Sequence, residues 1–285
     1  MKTYFTFKNE IEGLKDVADT VKVVEDVAGS SVHMLREEVF NFRNYGGALE
    51  KVLIRLSLFY QKNDHPLLQK RNKGKKVLLI LTGDKGLVGS LWHNVINGFL
   101  EKRSEYQEII VVGEKGKRYL NEERVPISKI FNDFSNIPTE EEISQVTDYI
   151  FSEFNKGEIL KVDVLYPHFV SLAEQQASLS PFLPFTFELK TGRQDPLDFP
   201  IFEPSTKKIF FDLLQKYIRV FLHEIVFETK LSELSARTVS MESAGEKTKN
   251  LIKKTNLSYL KERRRFVTQK QLESFTSHKA TVQTI

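Results

Sequence analysis

Apolar residues recur every seven positions through the first sixty residues. Leu14, Val21, Ala28, Leu35, Phe42, Leu49 and Leu56 form one row, and Val17, Val24, Ser31, Glu38, Tyr45, Val52 and Phe59 follow it three residues on. A seven-residue period keeps one seam of a supercoiled helix against a partner, so residues 8–60 are predicted to form a long coiled-coil helix. Ser31 and Glu38 weaken the seam midway, and Gly29 and Gly46-Gly47 mark places where a bend or break is expected. At the other end, no proline follows Pro204. Residues 205–276 are predicted to be a second helix, on the order of 100 Å long at 1.5 Å per residue. From Ile209 to Phe227 it is apolar on nearly every side, which predicts enclosure by a folded domain. From Leu231 the seam thins to Leu231, Leu234, Thr238, Met241, Gly245, Thr248, Ile252, Thr255, Tyr259 and Phe266. Small residues beside it (Ser235, Ala236, Ser240, Ser243, Ala244, Gly245) would admit a close partner helix, and the stretch to Phe275 is expected to stand free of the domain. Two long seams at opposite ends of one chain are predicted to pair with each other.

The pattern between them is different. Short apolar runs at Val77–Thr82, Ile109–Val112, Val162–Tyr166 and Phe185–Glu188 read as strands. Helices are predicted over Val88–Lys102, from Gly113 through Tyr119, and from Thr139 to Phe154, where Thr139 and Glu142 have capping-box spacing. Strands alternating with helices imply a mainly parallel sheet with crossover helices. The fold class is therefore α/β, a long antiparallel coiled coil of N- and C-terminal helices plus a compact Rossmann-like α/β domain. The predicted divisions are 1–66, 67–203 and 204–285.

Composition narrows the chemistry. The 285 residues contain 40% hydrophobic and 28% charged residues, with a net charge of +4 and no cysteine. Disulfides, thiolate catalysis and cysteine-based zinc sites are excluded. The opening Met1-Lys2-Thr3-Tyr4-Phe5 lacks the apolar stretch of a secretory signal, and no eighteen apolar residues run together, so no membrane span is expected. The turn Thr82-Gly83-Asp84-Lys85-Gly86-Leu87-Val88-Gly89-Ser90 could cradle a phosphate on backbone N–H groups, yet it matches neither the phosphate-loop nor the dinucleotide pattern. It reads first as a tight strand-to-helix turn. His33, His65, His93, His168, His223 and His278 are scattered without metal-ligand spacing, and the carboxylates form no evident acid/base pair. The basic stretch Lys261-Glu262-Arg263-Arg264-Arg265 is read as a solvated or protein-facing shaft rather than a nucleic-acid helix, with Glu25, Asp26, Glu37, Glu38 and Glu50 available to compensate its charge.

Four segments then resemble the gamma subunit of F-type rotary ATP synthases. Ser232-Glu233-Leu234-Ser235-Ala236-Arg237-Thr238-Val239-Ser240-Met241 is similar to the family's Ser-Glu-x-x-Ala-Arg-x-x-Ala-Met, and Leu251-Ile252, Tyr259 and Val267-Thr268-Gln269 follow in family order. Thr82 to Leu91 resembles the glycine loop, Val111 to Gly116 a Val-Gly-x-Lys-Gly segment, and Leu14 to Lys22 an Ile-Lys-Ser-Val-x-Asn-Thr-x-Lys segment. The resemblance implies an asymmetric central shaft whose paired helices enter a ring of three alpha and three beta subunits. It places the α/β foot near an epsilon-like subunit and the membrane rotor, peripheral to the inner face of a membrane on the cytoplasmic side. Catalysis would belong to the ring, so the resemblance implies no catalytic residue, cofactor, metal or nucleic-acid partner for this chain. It implies shaft-to-ring contacts at Lys22, Arg237, Thr268, Gln269, Lys270 and Glu273, and a foot turn at Asp84, Lys85, Gly86 and Gly89.

The chain also departs from the pattern. Gly83, Val88, Ser90 and Trp92 stand where the family usually has Ser, Cys, Gly and Asn, and Glu25-Asp26 replace a common Lys-Ala pair. At the tip, Lys270 replaces Glu and Ser277-His278 replace Gly-Ala. These changes leave open an alternative: the shaft of a divergent F-like ATPase used for motility or another task not coupled to protons.

Overall fold

The structure is a computed structural model and describes residues 3–59, 65–186 and 203–282. Helix α1 spans Tyr4–Phe59 and helix α5 spans Thr206–Val282, so both long helices form as predicted. α1 runs unbroken through its glycines. Its seam differs from the prediction in one row. The row from Leu14 to Leu56 faces inward, but its companion lies three residues before it, at Ile11, Ala18, Glu25, Val32, Val39, Gly46 and Leu53, of which Glu25 alone is charged. Val17, Tyr45 and Val52 are 43–49% exposed. The substitution makes physical sense, because the observed row carries Val32 and Val39 where the predicted one carried Ser31 and Glu38, and it places Gly46 in the seam.

Contacts group the chain into two compact units: Met1–Val27 with Thr238–Ile285, and Ala28–Arg237. In the first, Tyr4 packs on Phe266 at 5.0 Å between ring centroids, and Val21 lies against Gly245. In the second, Phe42 packs on Phe227 at 5.0 Å and Val220 lies 3.7 Å from where a Gly46 Cβ would be. In each unit, therefore, α1 and α5 run antiparallel.

The second unit also contains a five-stranded sheet of order β3-β2-β1-β4-β5. Its strands are β1 Lys75–Leu81, β2 Glu108–Val112, β3 Lys129–Phe131, β4 Ile159–Phe169 and β5 Gln175–Leu183. The first four are mutually parallel and β5 is antiparallel to β4. Strand alternation divides the core in two. Val77, Leu79 and Leu81 face a layer that includes α4 (Glu140–Asn155) and Leu35, Leu53, Phe210, Leu214, Ile218 and Leu222 of the long helices. Leu78 and Ile80 face α2 (Leu91–Leu100) and residues around α3 (Glu114–Glu122), including Trp92, Val95, Phe99 and Leu120. β1 is buried from both sides, as expected of a central parallel strand. The Thr139–Glu142 capping box is formed as predicted.

Three predicted boundaries move. α2 begins at Leu91 rather than Val88, because Leu87 (φ 64°) and Gly89 (φ 58°) both take left-handed backbone that no α-helix accommodates. The strand predicted at Phe185–Glu188 is replaced by β5, an edge strand that mixes polar and apolar residues and is buried only at Phe182 and Leu183; Phe185 N–H instead donates to Leu67 O, and 187–188 lie outside the described residues. β3 is three residues long and carried too little apolar signal to be predicted. The enclosed part of α5 also extends beyond Phe227. Every residue from Ile225 to Ser235 is buried, including Glu228, Lys230 and Glu233. The segment from Leu231 to Arg237 is thus held by the α/β unit rather than standing free of it.

Candidate functional site

The deepest polar cluster is built by the segment that carried the strongest resemblance. On α5, Lys230, Glu233 and Arg237 are spaced by three and four residues and so share one face. That face is inside the protein, with 7%, 3% and 7% exposure respectively. Glu233 accepts from Lys230 Nζ at 3.3 Å and from Arg237 Nη2 at 2.7 Å. Arg237 then reaches the glycine turn, donating from Nε and Nη2 to Gly86 O at 3.2 Å each. One turn back, Ser232 Oγ donates to Pro167 O at 2.8 Å on β4. Three charges at this depth are tolerated only because each has partners. The small residues follow the same logic: Ser235 is fully buried and Ala236 packs on the α2 face of the sheet core, so they admit the α/β domain rather than a partner helix. Gly245, beside Val21, does admit the helix.

The glycine turn is held from several directions. Asp84 Oδ1 accepts from Glu114 N–H at 2.8 Å and Oδ2 from Phe134 N–H at 3.2 Å. The Asp84 carboxylate therefore sits at the N-terminus of α3, where an anion is favoured by free N–H groups and the helix dipole. Lys85 Nζ donates to Asn136 Oδ1 at 2.8 Å, and Lys85 O accepts from Trp92 Nε1 at 3.3 Å. Gly89 supplies a positive φ. The next strand-to-helix turn is equally tight. Thr82 Oγ1 donates to Val112 O at 2.7 Å and accepts from Gly116 N–H at 2.9 Å, while Gly113 has φ 97°. A Cβ at Gly113 or Gly116 would meet Thr82 at 2.6 Å. Both glycines of the Val-Gly-x-Lys-Gly segment are thus there for close backbone approach.

A second cluster joins α1, α5 and β4. Arg43 Nε donates to Glu224 at 3.0 Å, and the buried Glu228 accepts from Phe169 N–H at 3.2 Å and pairs with His168 Nδ1 at 2.5 Å. Burial pushes the Glu228 carboxyl above its ordinary range, and the nearby His168, Phe169 N–H and Arg43 oppose that rise. Beside it His223 packs on the Phe42 ring, and burial lowers its pKa below 6.5. As pH falls through 6.5 the unfolded chain takes up this proton before the folded one, so stability present above 6.5 is lost on the acid side. The loss between pH 7 and pH 5.5 is expected to be smaller in His223→Gln, measured as the change in melting temperature; equal losses in both proteins would contradict it.

Of the residues implied as ring contacts, Arg237 is turned inward to Glu233 and Gly86. Lys22 is exposed and bridges Glu25 and Asp26 at 3.0 Å each on its own helix. Thr268, Gln269, Lys270 and Glu273 are exposed near the C-terminal end of α5. Gln269 and Lys270 both bond Glu273 at 3.1 Å, which holds its carboxyl below the ordinary range, the Lys270 contribution being the larger. Because Tyr4 lies against Phe266 and Val21 against Gly245, the helix register within this unit brings the first residues of α1, rather than Glu25 and Asp26, alongside the basic 261–265 stretch. Lys230 and Arg43 were not singled out from sequence, Trp92 stood out only as a departure from the family pattern and His168 only as one of the scattered histidines, although the spacing of Lys230, Glu233 and Arg237 was a usable signal. Among the described residues no three His, Asp or Glu side chains gather to hold a metal, and no helix is long and apolar enough to cross a membrane.

Comparison with known proteins gives the same answer from the whole chain. The sequence profile of the ATP synthase family matches residues 5–280. The ATP synthase gamma chain of Syntrophobacter fumaroxidans is 29% identical over 96% of this chain and 97% of its own length. That of Nitrosospira multiformis is 25% identical over 96% and 98%. Among solved structures, a chain from the central stalk and c-ring of Tetrahymena thermophila mitochondrial ATP synthase superposes with a TM-score of 0.60 at 19% identity, covering 79% of this chain and 99% of its own. A chain of the Euglena gracilis mitochondrial ATP synthase gives 0.55 at 16%, over 89% and 95%. With its long terminal helices, its mostly parallel sheet and the Ser232–Met241 segment fastening one to the other, this chain belongs to the gamma-chain family of ATP synthases.

Proposed function

We propose that this chain is the central rotary shaft of an F-type ATP synthase or ATPase, a non-catalytic subunit that couples rotation to sequential ATP turnover in a surrounding ring. The observation that carries the proposal is the fastening of α5 to the α/β domain by Ser232, Glu233 and Arg237. A shaft transmits torque only if the helix cannot slip against its foot, and slip would break the bonds that cross from α5 to the domain, Arg237 to Gly86 O and Ser232 to Pro167 O, leaving a buried guanidinium short of partners in a dry site. The ring would hold three alpha-like and three beta-like subunits, each pair meeting a different side of an asymmetric shaft, so that rotation biases their conformational equilibria in turn. Lys22, Thr268, Gln269, Lys270 and Glu273 are exposed and would contact that ring. The foot, residues 67–203, would meet an epsilon-like subunit and a membrane rotor, which places the chain at the inner face of a membrane. The test is affinity capture of the tagged chain followed by mass spectrometry. Alpha- and beta-like subunits are expected, and the purified chain alone is expected to turn over no ATP; turnover by the chain alone would sink the reading. Absence of epsilon-like and rotor-ring subunits from an intact capture would favour a motor not coupled to protons.

A further inference from the structure

Two of the positions at which the glycine turn departs from its family pattern face each other. A Cβ built at Gly83 would lie 2.5 Å from Glu233 Oε2, 2.7 Å from Glu233 Cδ and 2.8 Å from Trp92 Cζ2. Any side chain at 83 would have to displace both the indole and the carboxylate. Trp92 is 2% exposed and its N–H donates to Lys85 O, the residue before the Gly86 carbonyl that Arg237 grips. We infer that Trp92 is a positioning residue for the helix-to-foot fastening: in the space that a bare Gly83 leaves, its indole walls Glu233 from water and fixes the turn so that Gly86 O meets Arg237.

An ion pair in a dry site is held far more firmly than one open to water. The indole is a large flat surface that excludes water from one side of Glu233, and its single polar atom has a partner. A backbone carbonyl can accept two bonds from one guanidinium only while the turn is fixed. The Trp92 N–H to Lys85 O bond fixes it one residue away, and Leu87, left-handed at φ 64° and 61% exposed, is thereby presented outward. Gly83 and Trp92 are on this view one change made at two positions: serine at 83 needs a smaller residue at 92, and tryptophan at 92 needs glycine at 83.

This deepens the shaft reading and rests on it only for the purpose of the fastening. Its test uses the full chain alone, so its failure is distinct from a failure to capture ring subunits. Gly83→Ser is expected to lower the melting temperature by roughly 5–10 °C; Trp92→Asn, which empties a buried core position, is expected to lower it as well, and the double variant is expected to lose clearly less than the sum of the two. If the two losses simply add, the inference is overturned. Trp92 is the sole tryptophan, so its fluorescence provides a second readout that does not depend on Gly83→Ser folding. Arg237→Gln is expected to raise acrylamide quenching of Trp92 several-fold and shift its emission to the red, whereas Phe275→Ser, at a residue 75% exposed, should leave both unchanged. Unchanged quenching in Arg237→Gln would equally overturn it, because the indole would then be indifferent to the contact it is inferred to position.

Discussion

Glu233→Ala is expected to destabilise the chain by about 3–5 kcal/mol, the cost of leaving buried charges without their partner. Two cations lose their counter-charge at once, Lys230 with a side chain 8% exposed and Arg237 with one 9% exposed. Urea unfolding should show a lower midpoint with an unchanged slope, which identifies a loss of stability rather than a change in the surface exposed on unfolding. The companion variant Lys230→Met/Glu233→Leu/Arg237→Met is expected to recover most of the loss, since replacing a buried ionic group by well-packed apolar residues is often neutral or stabilising. Recovery in stability without recovery of ATP-driven rotation in the assembled motor would locate the value of the charges in the grip on Gly86 rather than in folding. A loss below about 1 kcal/mol, the range of a surface pair, would mean that the cluster is open to water.

Gly113→Ala is the second large effect expected, roughly 3 kcal/mol, from a residue forced into left-handed backbone together with a backbone collision. The added Cβ would lie 2.6 Å from Thr82 O and 2.8 Å from Thr82 Oγ1, at φ 97°. Neither atom can yield cheaply, since Thr82 N–H and Oγ1 both bond Val112 O. Gly47→Ala is the matched control. Nothing lies within 4 Å of a Cβ there, and the residue is in the middle of α1. Alanine should stabilise that helix by about 0.5–1 kcal/mol. Thermal or urea melts of the two variants should therefore move in opposite directions, and a stabilised Gly113→Ala would contradict the crowding seen at Thr82.

The contrast between those glycines shows where a sequence stops being informative. Gly47 and Gly113 are the same letter, and helix periodicity flagged the first as the liability. It is one, but that Gly113 is indispensable was not readable, because the cost of a glycine is local to its backbone while its necessity depends on what approaches it from elsewhere in the chain. The same applies to α1. Its seven-residue period was readable because one row, Leu14 to Leu56, is strongly apolar. Which flank accompanies that row depended on the approach of α5, and Val220 against Gly46 decided it. The capping box at Thr139 was legible because both partners lie within four residues, whereas β5, an edge strand whose polar and apolar letters are interspersed, carried no clear apolar run and was placed by its pairing to β4.

What the sequence determined by itself was everything set by regular spacing or by residues close together in the chain: two long helices, an α/β domain between them, most of its strands, and the family to which the Ser232–Met241 segment points. The tertiary structure alone decided what that segment does. In the sequence Glu233 and Arg237 stand out only through that segment, on a stretch of α5 expected to be free of the domain. They are buried because the α/β domain closes over them: Arg237 bonds Gly86 O, 151 residues away in the chain, and Glu233 is held between Lys230 and Arg237 on its own helix. Periodicity reports which face of a helix is apolar, but whether a charged face is dry depends on distant partners, and those are fixed only when the chain closes on itself.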